Sequence, residues 1–255
     1  MTPIDSTPAL AIEGVSKRFG ALTVASNVTI RLPVGARHAL IGPNGAGKTT
    51  LVNIITGNLA PDGGRVALMG RDITNLPPTT TVPLGLARTF QITNLLGKLS
   101  VWENVALAIA ARTGADRDLS KPLWRQTAVL DEVHAHLATL DLQGDAERTV
   151  RELRYGRQRL VELALGLALH PKVLLLDEPA AGVPSAEAHV ILRVLDALPK
   201  DMTILMIEHD MEMVFRYAER ITVLVGGEVL TEGTPREIAA DERVRNVYLG
   251  RSSHA

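Results

Sequence analysis

"GPNGAGKTT", residues 42–50, decides how the rest of this 255-residue chain is read. Gly42, Gly45 and Gly47 allow the backbone to curl with its N–H groups facing inward. An apolar run, "RHALIG", comes before it, and "GKTTLVNIITG" after it has helical spacing and ends at Gly57. Strand, glycine turn and helix in that order form the Walker A arrangement, in which amides and the positive end of a helix dipole hold an anion. The anion is expected to be the phosphate chain of a nucleotide. Lys48 would reach the β- and γ-phosphates, and the Thr49 hydroxyl would coordinate Mg²⁺. Pro43, Asn44, Ala46 and Thr50 complete the loop. A glycine-rich turn with an incidental lysine would not also carry every fixed position between the correct flanks.

A phosphate loop needs an acid at the end of a neighbouring strand. "VLLLDEP", residues 173–179, supplies two. Asp177 is expected to hold Mg²⁺, and Glu178 to polarise the attacking water. Taken alone, two acids after an apolar run also describe a solvated strand end. Beside a Walker A loop that reading loses its force, and the chain reads as a nucleoside triphosphatase.

The remaining sequence alternates in kind. "LAIEGVS", "NVTIRLPVG" and "GRVALMG" have strand character, the last of them after the turn "APDGG". From about residue 82 to 169 the pattern turns helical, in "VWENVALAIAARTG" and "LWRQTAVLDEVHAHLATLDL". "KVLLLDEP" and "MTILMIEHD" are short apolar runs of the kind found in central parallel strands buried on both faces. "RITVLVGGEVLTEG" reads as a hairpin turning at Gly226 and Gly227. Thr234, Pro235 and Glu237 open a helix with a capping box. The fold class is α/β: a P-loop core with an N-terminal antiparallel β region and a mostly helical insert.

Composition sets limits on function. The chain has 27 basic and 28 acidic side chains, a net charge of −1, which argues against nucleic acid as a partner. With no cysteine, disulfides and thiolate metal sites are excluded. The start, "MTPIDSTPAL", has no basic segment followed by an apolar run, and no apolar stretch approaches the ~20 residues of a membrane span. The expectation is a soluble, intracellular protein that meets a membrane only through a partner.

In the order "VSKRFGAL", "LARTFQITNLL", "LRYGRQRLVELALGLALHPKVLLLDEPAAG", "TILMIEHDMEMV", "GEVLTEGTP" and "VYLG", the motifs run nearly end to end. On these the chain resembles the ATP-binding cassette (ABC) transporter ATPases, and within them the ATPase subunits of branched-chain amino acid importers. The resemblance implies one nucleotide-binding domain over 1–255, with a core at about 1–83 and 166–255 and a helical subdomain at about 84–165. It also implies further roles. Phe19 falls where the family stacks an aromatic on adenine; as a bare residue it reads equally as a core aromatic of an edge strand. Gln91 matches the glutamine that touches Mg²⁺ and water and senses the membrane subunit, although an isolated Gln is usually a surface amide. His209 matches the switch histidine at the γ-phosphate, although a lone histidine there also suits a satisfied strand end. The segment from Gln91 to Glu103 would form the groove for a coupling helix, with Leu95, Leu96 and Val101 belonging either to that groove or to the core.

"LRYGRQ", Leu153 to Gln158, lies where the family carries its signature motif, which opens a helix facing the γ-phosphate held by a second protomer. Leu153, Tyr155, Gly156 and Gln158 fit. Arg154 stands in place of the serine whose hydroxyl would bind that phosphate, and Arg157 in place of a glutamine. Both arginines are expected to face the partner's ATP. Pro184 and Ser185 in "AGVPSAE" also depart from the pattern. The resemblance implies ATP and Mg²⁺ as ligands and a second ABC ATPase subunit, identical or not, as partner. It further implies two transmembrane permease subunits, an indirect link to a periplasmic or extracellular binding protein, and a place on the cytoplasmic side of the inner membrane. The transported solute would be a branched-chain amino acid or a related small polar molecule. An export ATPase, or a non-transport ABC protein acting on nucleic acid, is the alternative.

Overall fold

β1 (Leu10–Phe19) and β2 (Leu22–Leu32) form an antiparallel hairpin, in which Phe19 faces Leu22 across the turn. The computed structural model of the protein describes residues 7–89, 95–117, 121–183 and 185–249. After the hairpin come β3 (Arg37–Ile41), α1 (Lys48–Ile55), β4 (Gly63–Leu68), β5 (Arg71–Asp72), α2 (Pro78–Thr81) and β6 (Leu86–Thr89). The helical stretch holds α3 (Val101–Thr113), α4 (Thr127–Thr139) and α5 (Tyr155–Ala168). It is followed by β7 (Val173–Asp177), α6 (Ser185–Asp196), β8 (Thr203–Ile207) and α7 (Met211–Tyr217). The chain then adds β9 (Arg220–Val225), β10 (Glu228–Gly233), α8 (Pro235–Ala240) and α9 (Glu242–Leu249).

The strands make two sheets. One is antiparallel, in the order β2-β1-β4-β5; the other runs β10-β9-β3-β8-β7-β6, with β9, β3, β8 and β7 mutually parallel. The apolar run of β3 is buried on both faces, and its alternation shows why. Leu40 packs with Leu51, Val52, Ile54 and Ile55 of α1, whereas Ala39 and Ile41 pack with Val214 of α7 and Val244 of α9. Register aligns Leu40 with Ile207 and Ile207 with Asp177. The carboxyl ends of three parallel strands therefore meet, the position from which open α/β sheets present ligand sites.

The chain divides into two compact units, Met1–Leu86 with Lys172–Glu178 and Lys200–Ala255, and Ala87–Pro171 with Pro179–Pro199. The second unit is wider than the insert read from sequence, because it includes residues 166–171 and all of α6. α6 belongs there by packing against α5, and a Cβ on Gly182, just before it, would lie 3.2 Å from the Tyr155 ring. Within this unit Ser100 and Glu103 form a capping box that starts α3, and Gly114 closes it in the left-handed conformation. The Arg112 Nη2 donates to both Glu132 oxygens at 2.5 and 2.6 Å, and its Nε donates to the Ala168 carbonyl. His136 and His170 face the same carboxylate, at 3.5 and 2.9 Å. Arg112 already balances that charge, which makes the cluster an ion network tying α3, α4 and the end of α5. Among the described residues no helix is long and apolar enough to cross a membrane.

In the first unit the turn between β9 and β10 is the two-residue one expected, with Gly226 at φ 57° and Gly227 at φ 84°. The Thr234–Glu237 capping box forms as well, and Thr234 bonds hold the Glu237 carboxyl below its usual pKa.

Candidate functional site

The loop between β3 and α1 is shaped by what its glycines avoid. A Cβ on Gly42 would lie 2.1 Å from the Leu224 carbonyl oxygen, and one on Gly47 would lie 2.2 Å from that of Val24. Gly47, at φ 100°, caps α1 without any side-chain bond, so the first amides of the helix are left to a ligand. Lys48 donates to the Gly42 and Pro43 carbonyls at 2.6 and 3.2 Å. Burial lowers its pKa, while the charges of Glu178 and Asp177 oppose that shift. Asn44, Gly45 and Thr49 are exposed, and Thr50 is half-buried.

Glu178 follows β7 in the left-handed conformation, at φ 48°, and its N–H donates to the Ile207 carbonyl at 2.8 Å. A non-glycine residue held there stores about 1–2 kcal/mol, which the pairing of β7 with β8 maintains. The turn brings its carboxylate 3.7 Å from His209 Nδ1. Glu208, a buried acid unmarked in the sequence reading, approaches the same ring nitrogen. Its carboxylate accepts from the His209 and Asp210 N–H groups at 2.8 and 3.2 Å and lies 3.6 Å from His209 Nδ1. Gly42, Pro43, Asn44, Glu178 and His209 thus share one cavity of about 460 Å³, together with Val247 and Tyr248. The hydroxyl of Thr49 and the carboxylate of Asp177 are hard oxygen donors, the set that Mg²⁺ takes.

Phe19 stands at the hairpin tip with 51% of its surface exposed, and Lys17 Nζ lies 5.8 Å from its ring centre. It is therefore no core aromatic. The returning strand of the same hairpin carries Val24, the residue that touches Gly47. Gln91 and Pro184 lie outside the described residues. Of the three apolar residues expected in the groove or the core, Val101 is buried, Leu95 is half-buried and Leu96 is exposed.

The second unit carries the "LRYGRQ" segment. Leu153 and Gly156 are buried, and Gln158 Nε2 donates to the Leu153 carbonyl at 3.0 Å. Arg154 occupies the N-cap of α5, is exposed, and makes no side-chain cap. Tyr155 accepts from Arg159 at 3.0 Å. Arg157 is bonded within its own unit. Its Nε and Nη2 donate to Asp145 Oδ2 at 2.7 and 2.6 Å, and Nη2 also donates to the Asp141 carbonyl, so the guanidinium is committed within its own chain. Of the two arginines, Arg154 is the one with its charge unspent among the described residues.

A sequence profile of the ABC transporter family matches residues 25–181, spanning the phosphate loop, the arginine-bearing helix start and β7. The chain belongs to the ATP-binding cassette transporter family. With membership comes the family activity, ATP binding and hydrolysis. A second profile, for branched-chain amino acid ATP-binding cassette transporters, matches residues 228–254. The cassette is 38% identical over 252 residues to the high-affinity branched-chain amino acid transport ATP-binding protein LivG of Salmonella typhimurium, covering 96% of this chain and 99% of that one. LivG of Escherichia coli K12 is 37% identical with the same coverage. A crystal structure of an ABC transporter cassette in its ADP conformation superposes with a TM-score of 0.81 at 32% identity, covering 96% of this chain and all of that one.

Proposed function

We propose that this cassette powers an importer for branched-chain amino acids or related small polar solutes. In this reading it is held on the cytoplasmic face of the cell membrane by two permease subunits, which receive solute from a periplasmic or extracellular binding protein. The observation that supports it most is the single cavity in which the glycine loop, Glu178 and His209 converge. Proteins 37–38% identical to it over 96% of its length are named for branched-chain amino acid transport.

Placement supports the roles of the described residues, and the family resemblance supplies that of Gln91. The amides of residues 45–50 and the Lys48 ammonium take the β- and γ-phosphates, and Phe19 stacks on the base. Mg²⁺, bound through Thr49, Asp177 and Gln91, would neutralise charge on the phosphate oxygens. Glu178 polarises the water that attacks the γ-phosphorus, and His209, steadied by Glu208, keeps that carboxylate aimed. Leu153 to Gln158 serve the ATP of a second cassette, where Arg154 brings a cation in place of a hydroxyl. If that partner is a different chain, the two ATP sites are unequal, and the site facing Arg154 binds ATP but hydrolyses it slowly.

Glu178→Gln in the assembled transporter is the test. Turnover is expected to fall by about 100-fold or more while ATP affinity holds, because the amide keeps the shape and loses the base. Wild-type turnover in that variant would remove Glu178 from the chemistry.

A further inference from the structure

The ion network on Glu132 holds an imidazole nitrogen that it does not use. His136 lies one helical turn beyond Glu132 on α4, on the same face. Its Nε2 is sealed from water and stands 3.5 Å from Glu132 Oε1 without completing a hydrogen bond. Leucine would fill that place without leaving a buried nitrogen unpaired, so packing does not account for the histidine. Backbone preference does not account for His170 either. It follows α5 at φ 50°, where a helix end usually takes glycine, and its N–H donates to the Leu167 carbonyl at 2.9 Å. Its side chain is 58% exposed and brings Nε2 to 2.9 Å from the same Glu132 oxygen. The two imidazole rings stand with their centres 6.1 Å apart.

One ligand atom from each of Glu132, His136 and His170 lies within 4.8 Å of the others. Ligands bound to one tetrahedral ion at about 2.0–2.1 Å stand about 3.3 Å apart, so small side-chain adjustments bring this set onto an ion. Two imidazoles and a carboxylate are a donor set that Zn²⁺ takes, whereas Mg²⁺ takes oxygen. Burial, the largest cause, holds the His136 pKa below the ordinary imidazole value; Glu132 opposes that shift, and His170 and Arg112 add to it. A ring kept neutral has a lone pair to give. Arg112 Nη2 donates to both Glu132 oxygens while its Nε is anchored on the Ala168 carbonyl at 2.7 Å, which fixes the carboxylate as supporting groups fix metal ligands. Its charge opposes a second cation, and the two imidazole lone pairs offset that repulsion. We propose that Glu132, His136 and His170 form a site for a divalent transition-metal ion of the zinc class, which pins the end of α5 to α4. The exposed side of His170 gives the ion its way in and leaves a further position to water. The ion stabilises the helix that opens with "LRYGRQ", and it is distinct from the Mg²⁺ that accompanies ATP. All three ligands belong to the second compact unit, so the site is independent of how the cavity of the first is read.

The experiment titrates Zn²⁺ into the purified full-length chain, untagged, stripped of metal and without nucleotide, at neutral pH. A single Zn²⁺ is expected to bind each chain and to raise Tm, because an ion held only by the folded state stabilises it; Mg²⁺ is expected to do neither. His136→Ala and His170→Ala should each weaken Zn²⁺ binding by about 100-fold or more, beyond the roughly 10- to 100-fold that loss of a supporting residue brings, and should abolish the rise in Tm. His170→Ala alters an exposed side chain, so it reads the site even where His136→Ala fails to fold. His134→Ala, at an exposed histidine of the same helix, should bind Zn²⁺ like the wild type. Absence of stoichiometric Zn²⁺ binding, or binding that His170→Ala leaves unchanged, would overturn the site and leave the cluster as an ion network alone. A Tm indifferent to bound Zn²⁺ would overturn the pinning of α5 to α4.

Discussion

Two helix starts in this cassette fall at motifs that the proposed function assigns to phosphate, and they are built differently. α1 begins at Gly47, a left-handed glycine whose missing Cβ is enforced by the Val24 carbonyl 2.2 Å away. Its lysine is half-buried, its acids stand at the ends of parallel strands, and these parts belong to one compact unit. α5 begins at Arg154, exposed and without a side-chain cap, and its neighbour Arg157 is spent on Asp145 and Asp141. One start is complete in itself. The other has no side-chain cap and a cation with no partner among the described residues, and in the proposed reading its anion comes from a second cassette. In the proposed reading the difference separates a half-site built within one chain from a donated half that is conditional on a partner.

Three substitutions press on this contrast. Lys48→Ala attacks the complete half and is expected to weaken ATP binding by about 2–3 kcal/mol, roughly 30- to 150-fold in Kd, by removing a charge-assisted contact. Unchanged affinity in a direct titration would show that the loop is not the phosphate site. Phe19→Ala probes the outer edge of the same half. A loss of about 1–2 kcal/mol for ATP and ADP alike is expected, and much less for a triphosphate without a base; equal losses for all three would place the ring away from adenine. Arg154→Ser addresses the conditional half. Serine restores a side-chain cap worth about 1 kcal/mol, so Tm should rise slightly, and turnover at the partner's ATP should increase several-fold. If the cap stabilises and turnover does not move, the arginine is a tolerated replacement and the two sites are equal.

The same contrast explains what could be read from sequence. The loop at 42–50, the Gly226–Gly227 turn and the Thr234 cap were legible because each depends on neighbours within a few residues. Backbone sterics there leave one answer. The bonds of Arg157 were not legible because they depend on Asp145 and Asp141, acids of an irregular stretch with no periodic signal. Glu208 reads as one more acid until burial shows it bracing His209. The grouping of α6 with the helical unit, and the place of Tyr248 in the wall of the cavity that Gly42 also lines, depend on packing between segments far apart in the chain, which no local pattern records. Phe19 lay between these cases, since a strand-end aromatic has the same pattern whether it faces core or solvent.

The most direct test is the ATPase rate of the purified chain across a range of concentrations, alone and then with its permease subunits and second cassette. Bound ATP with little turnover in the isolated chain, and turnover that appears on assembly, is the expected result. Robust, concentration-independent hydrolysis by the lone monomer would contradict a site completed only by a partner.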